Sequence, residues 1–160
     1  TLIAAEYLKS HQENALANIF LSPIFGLEKS FMAKIVRIVL GLTVIFDLLP
    51  FNPKPGKHID YFKYPNSTDW SIGRCYADIS NTTLRIYLYC LKQSMAATQE
   101  YLLDKIEVPT LIIHGAKDTV AKAKNSVALS KKIKGADLVL IPNADHIIVL
   151  NNLPEVSDIM

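Results

Sequence analysis

Two residues in the last third of the chain have the types and surroundings for proton-transfer chemistry. Asp118 ends the stretch Val108-Pro-Thr-Leu-Ile-Ile-His-Gly-Ala-Lys-Asp118, and His146 ends Leu138-Val-Leu-Ile-Pro-Asn-Ala-Asp-His146, so each follows a short apolar run that breaks into a turn. An imidazole with an ordinary pKa of about 6.5 can accept a hydroxyl proton and return it to a leaving group at neutral pH. A buried carboxylate beside it fixes the ring's tautomer and stabilises the imidazolium. The purely structural alternatives are an aspartate that caps the following helix and a histidine that occupies a turn. His114 reads as a strand-end residue, and His11 and His58 as surface or loop positions.

A serine nucleophile on a strand-to-helix elbow needs the pattern Gly-x-Ser-x-Gly. The glycines present, Gly26, Gly41, Gly56, Gly73, Gly115 and Gly135, contain no pair four apart, so no serine in the chain qualifies. Cys75 and Cys90 fit neither a disulfide framework nor a metal-ligand spacing, which points to a reducing, cytoplasmic compartment.

The elements that must position Asp118 and His146 follow from the apolar pattern. Leu2 to Leu8 is apolar nearly all round a helix, with Thr1 as its cap, and is expected to be packed under other elements. Leu16 to Leu21, closed by Ser22-Pro23, suits a buried strand. Thr110-His114 and Asp137-Ile141 are the next strands, joined by an amphipathic helix over Val120 to Lys134 that carries Lys131, Lys132 and Lys134 at its negative end and stops at Gly135. A strand-helix-strand order requires a right-handed parallel crossover. In such open sheets the working residues lie just beyond the carboxyl ends of strands, which singles out Asp118 and either Asp145 or His146.

Between the two ends, Leu27 to about Asp104 has a different texture, with long helical patterns interrupted by Pro50-Phe-Asn-Pro-Lys-Pro-Gly56 and Tyr64-Pro-Asn-Ser-Thr-Asp69. Leu84, Leu88, Leu91 and Met95 keep helical spacing, and Thr68 or Asp69 is expected to cap a shorter helix carrying Trp70. Phe31 to Phe51 is long enough to span a bilayer, but Lys34, Arg37 and Asp47 would each cost roughly 2.5–3.5 kcal/mol near its centre. A buried or surface-lying amphipathic helix with Phe31, Ile35, Ile38 and Leu42 on one face is the better reading. The expected organisation is therefore 1–26 core, 27–104 helical insertion and 105–160 core.

The stretches ending at Asp118 and His146, the latter followed by Leu153-Pro154-Glu155, resemble the last two strand-end loops of α/β-hydrolases. The resemblance implies that Asp118 is the acid and His146 the base of a triad ordered Ser, Asp, His along the chain. Their separation of 28 residues leaves room for a helix and a strand. Asp145 departs from the family, which often has glycine before its histidine, and leaves a second carboxylate candidate next to the base. Thr1 to Pro23 resembles the helix and strand that follow the nucleophile elbow, so the serine and the oxyanion-hole donors are expected before Thr1. The implied fold is the parallel-sheet edge of a three-layer α/β/α hydrolase interrupted by a helical cap, a fragment without its N-terminal strands. An N-terminal segment or partner chain would complete the sheet.

The implied activity is hydrolysis of carboxylic esters, in the manner of monoglyceride lipases, lysophospholipases and small carboxylesterases, with an ester or acyl lipid as substrate and neither cofactor nor metal. A non-catalytic member of the family, whose cap serves as an interaction or membrane-surface element, is the alternative. A nucleotide-binding domain would need a glycine-rich loop after the first strand, and Ser22-Pro-Ile-Phe-Gly-Leu27 is not one. Seventeen basic residues against fifteen acidic ones give a net charge of +2, too slight a footprint for nucleic acid.

Overall fold

A computed structural model of the chain describes residues 2–24, 38, 60–64, 67–96 and 103–160. Two compact units emerge, one formed by residues 1–26 and 98–160 and the other by residues 27–97. The boundary falls a few residues before the expected 104, because Leu103 and Ile106, each 1% exposed, are buried in the first unit's core.

The first unit is built on three strands, β1 (Asn18–Leu21), β2 (Thr110–Gly115) and β3 (Asp137–Ile141), all parallel and in the spatial order β1-β2-β3. The strand expected from Leu16 starts two residues later; Leu16 itself is exposed. The register aligns Phe20 with Ile112 and Ile112 with Leu138, and this row faces one side of the sheet. There it meets Ala5 and Leu8 of α1 (Leu2–His11), together with Leu129 and Ile133 in and just beyond α4, the helix Ala123–Lys132. One step along β2 the side chain of Ile113 points to the other face, against Ile141, Ala144, Ile148 of α5 (Ile148–Asn151) and Val156 of α6 (Leu153–Ile159). The helices thus cover both faces, giving three layers, α/β/α. Because β2 is central and covered on both sides, its sequence is an unbroken apolar run rather than an alternating one. Complete burial of Ile112 and Ile113 contributes roughly 1.5–3 kcal/mol each.

Local chemistry sets the ends of these elements. The side chain of Gln12 bridges to the approach to β2, donating to the Lys105 carbonyl (2.7 Å) and accepting from the Glu107 N–H (2.6 Å). Helix α4 ends with Lys131 and Lys132 in its last turn, and the chain reverses through Gly135 at φ +72°, a conformation glycine adopts without strain. Helix α1 departs from expectation. Ala5 and Leu8 form its one buried stripe, whereas Ile3 is 86% exposed, so it is covered on a single face rather than packed all round.

In the second unit, α2 (Ile72–Thr82) packs on α3 (Leu84–Ala96), the two being separated by Thr83 at φ +69°. Helix α3 carries the expected Leu84, Leu88, Leu91 and Met95 pattern. The expected helix bearing Trp70 begins later: Trp70 lies in a turn closed by the Ser71 N–H on the Thr68 carbonyl, and Ser71 occupies the cap position. Arg74 of α2 reaches back to the Asp69 carbonyl (2.9 Å) and lies 3.6 Å from Asp78, which fastens the turn to the helix. The cap role expected of Thr1 and the amphipathic helix at 31–42 lie outside the described residues, apart from residue 38. No helix among the described residues is long and apolar enough to cross a membrane.

Candidate active site

The carboxyl ends of β2 and β3 lie side by side, and the loops leaving them are joined through their backbones. The Ala116 N–H bonds to the Ile141 carbonyl (3.0 Å), and the Lys117 N–H bonds to the Ala144 carbonyl (2.9 Å). Gly115 makes this approach possible, since a Cβ at that position would lie 2.5 Å from the Ala144 carbonyl oxygen and closer still to that of Asp145. The two loops therefore hold their side chains in a fixed relation.

The structure brings Asp118 and His146 together, with His146 Nδ1 2.7 Å from Asp118 Oδ2. The side chain of Asp118 is fully buried and that of His146 is 24% exposed. The two carboxylate oxygens have separate tasks. Oδ1 accepts the backbone N–H groups of Val120 (2.8 Å) and Ala121 (2.7 Å), shaping the turn into α4, while Oδ2 faces imidazoles. Asp118 is thus both the turn-forming aspartate of the structural alternative and the carboxylate partner of His146. Burial pushes its carboxyl up, but hydrogen bonds from His114, His146 and the Ala121 backbone outweigh that and hold it well below the usual carboxylate range. Facing an ionised carboxylate, which only accepts, His146 Nδ1 must carry its proton, and Nε2 is then the basic nitrogen of the ring.

Asp145, the competing carboxylate, is engaged elsewhere. Its Oδ1 accepts the Ile147 N–H at 2.9 Å and the Asn151 side-chain amide at 3.4 Å. It shapes the turn that presents His146.

A second imidazole, expected to be no more than a strand-end residue, adjoins the pair. His114 is fully buried, with Nε2 3.0 Å from Asp118 Oδ2 and 2.6 Å from the Ala121 carbonyl. Its Nδ1 lies 2.7 Å from the hydroxyl of Ser126, in the first half of α4 and 1% exposed. Ser126, His114 and Asp118 form a serine-histidine-aspartate chain, but burial keeps substrate from the hydroxyl, so this serine is not a nucleophile. The signal that could have found His114 is its spacing: it stands four residues before Asp118 across a glycine turn. Ser126 has no comparable sequence signal.

His11 is exposed and stacks on Tyr7, with ring centroids 4.7 Å apart, while His58 lies outside the described residues. Cys75 and Cys90 are free thiols. Among the described residues no group of three or more His, Cys, Asp or Glu side chains has the arrangement of a metal site.

Comparison with known proteins agrees with this architecture. Residues 1–152 match the family described as serine aminopeptidase, S33, and the chain belongs to the α/β-hydrolases. Over 102 residues it is 30% identical to the pimeloyl-[acyl-carrier protein] methyl ester esterase of Neisseria meningitidis, a match that covers 60% of this chain and 40% of that protein. The chain thus spans less than half the length of this relative. Among solved structures it is similar in fold to a hydrolase from Oleispira antarctica (TM-score 0.69, 14% identity, 99% of this chain and 60% of that one). It is likewise similar to an esterase from Exiguobacterium antarcticum (TM-score 0.64, 18% identity, 98% of this chain and 60% of that one). Its relatives are esterase-like hydrolases.

Proposed function

We propose that this chain supplies the acid and the base of a serine-type carboxylic ester hydrolase, with His146 as general base and Asp118 as the residue that orients it. The reading assigns the nucleophilic serine to a segment preceding Thr1. The observation that carries it is the 2.7 Å contact between His146 Nδ1 and an Asp118 held in its ionised form. That contact leaves Nε2 as the proton acceptor, the tautomer a serine hydroxyl needs. In the first half-reaction the serine oxygen attacks the ester carbonyl as its proton passes to Nε2, and the imidazolium then protonates the departing alcohol. In the second, water attacks the acyl-enzyme through the same nitrogen, and the proton returns to the serine. Asp118 stays charged throughout and stabilises the imidazolium. The 30% identity to a methyl ester esterase supports an ester substrate, and acyl lipids fall within that class.

The experiment compares p-nitrophenyl butyrate turnover by the full-length protein, its His146→Ala variant and residues 1–160 alone. The full-length protein is expected to turn over, the variant to lose on the order of 10⁴-fold, and residues 1–160 to show none. Clear turnover by residues 1–160 would place the nucleophile inside them. Full activity in the variant would remove His146 as the base.

A further inference from the structure

The catalytic reading uses one imidazole on Asp118, yet two share its Oδ2. The proton positions on the second follow from its partners. His114 Nε2 faces two atoms that only accept, the Ala121 carbonyl and the Asp118 carboxylate, and so must carry a hydrogen. Among the described residues the Ser126 hydroxyl has no acceptor other than His114 Nδ1, so it donates there and Nδ1 is bare. The ring is thus held at both nitrogens. Its orientation is fixed by Ser126 on one nitrogen and by Ala121 and Asp118 on the other, with no exposure to water.

We propose that His114 is a positioning residue: keyed by Ser126, it pins Oδ2 of Asp118 at the place from which that oxygen orients His146. The carboxylate then has four N–H partners, two on each oxygen, and cannot rotate without losing at least one. His114 also shares the charge of Oδ2, which moderates the hold of that oxygen on the His146 proton. Other charged groups nearby are turned away, the Asp145 carboxylate toward Ile147 and Asn151 and the Lys117 side chain into solvent.

The proposal rests on the catalytic reading of His146 and Asp118, and the test separates the two. In the full-length protein, kcat, KM and the pH profile of kcat/KM are measured with p-nitrophenyl butyrate for His114→Leu, His114→Gln, Ser126→Ala and His146→Ala. His114→Leu is expected to lower kcat about tenfold at unchanged KM. The acid side of its pH profile should also change, because Oδ2 then has one donor fewer and faces His146 alone. His114→Gln, which keeps an N–H near the Nε2 position, should recover most of both effects. Ser126→Ala should lower kcat by a smaller factor, and ring ¹⁵N shifts should report the Nε2–H tautomer of His114 in the wild type, the one its Ala121 and Asp118 partners require. A folded His114→Leu protein with wild-type kcat and acid limb would overturn the proposal, as would a His114 ring protonated on Nδ1. Should His114→Leu fail to fold, Ser126→Ala and the ring shifts decide it. Full activity in His146→Ala would instead sink the catalytic reading beneath it.

Discussion

Gly115 at the end of β2 and Asp145 in the loop after β3 approach so closely that a methyl group on Gly115 would overlap the Asp145 carbonyl oxygen. The neighbour is backbone and cannot swing aside as a flexible side chain would. Gly115→Ala is therefore expected to push the His146 loop away from Asp118. Overpacking of this kind costs about 1–3 kcal/mol, to be read in denaturant unfolding of the full-length protein, with a loss of ester turnover beside it. Unchanged stability and turnover would contradict the close approach.

Asp118→Asn tests the orientation of the base. An amide offers one acceptor and one donor where the carboxylate offers two acceptors, and Oδ1 is already committed to the Val120 and Ala121 N–H groups. The donor would then face His146 and favour the tautomer with its proton on Nε2, the wrong one for a base. Turnover is expected to fall about 10⁴-fold, and a variant close to wild type would exclude Asp118 from the mechanism.

The depressed pKa of Asp118 also predicts how stability depends on pH. A carboxyl that ionises more readily in the folded state than in the unfolded chain contributes stability that is fully present above the unfolded value, about 3.9, and lost as pH falls through the folded one. Unfolding free energies measured from pH 7 downward should therefore decline below about pH 4 more steeply in the wild type than in Asp118→Asn. Parallel curves for the two proteins would show that Asp118 is not the linked group.

Asp145→Ala separates the two carboxylates flanking the base. The side chain of Asp145 holds the Ile147 N–H and the Asn151 amide rather than His146. Its loss is expected to lower stability by about 1–2 kcal/mol while leaving most of the turnover intact. A drop as large as that of Asp118→Asn would make Asp145 the acid.

Where a pattern reflects burial on a sheet, the sequence announces the structure. The run at Thr110 is apolar because helices cover both faces of the central strand, and the runs at Thr110 and Asp137 each give way to polar residues where the chain leaves the sheet, which makes Asp118 and His146 stand out. The same logic concealed His114, since a histidine at the end of Leu-Ile-Ile reads as one more packed side chain. Its link to Ser126 crosses from β2 to α4 and leaves no periodic trace. Composition also misled at α1, where apolar residues occur all round the helix but the sheet accepts only the Ala5 and Leu8 stripe. Near Trp70 the helix begins at Ile72 because Arg74 and the Ser71–Thr68 turn hold the preceding residues outside it.

The strand pairings differ greatly in how much chain they must close. Leu111 meets Asp137, 26 residues on, whereas Asn18 meets Thr110, 92 residues on. By loop-closure entropy alone the longer connection costs about 1 kcal/mol more. Every group that converges on Asp118, from His114 to His146, lies within the shorter connection and its flanking loops. Local contacts are the first that a collapsing chain can afford. The acid–base pair is therefore expected to assemble with β2, α4 and β3 as an early folding unit, and β1 to dock onto it afterwards.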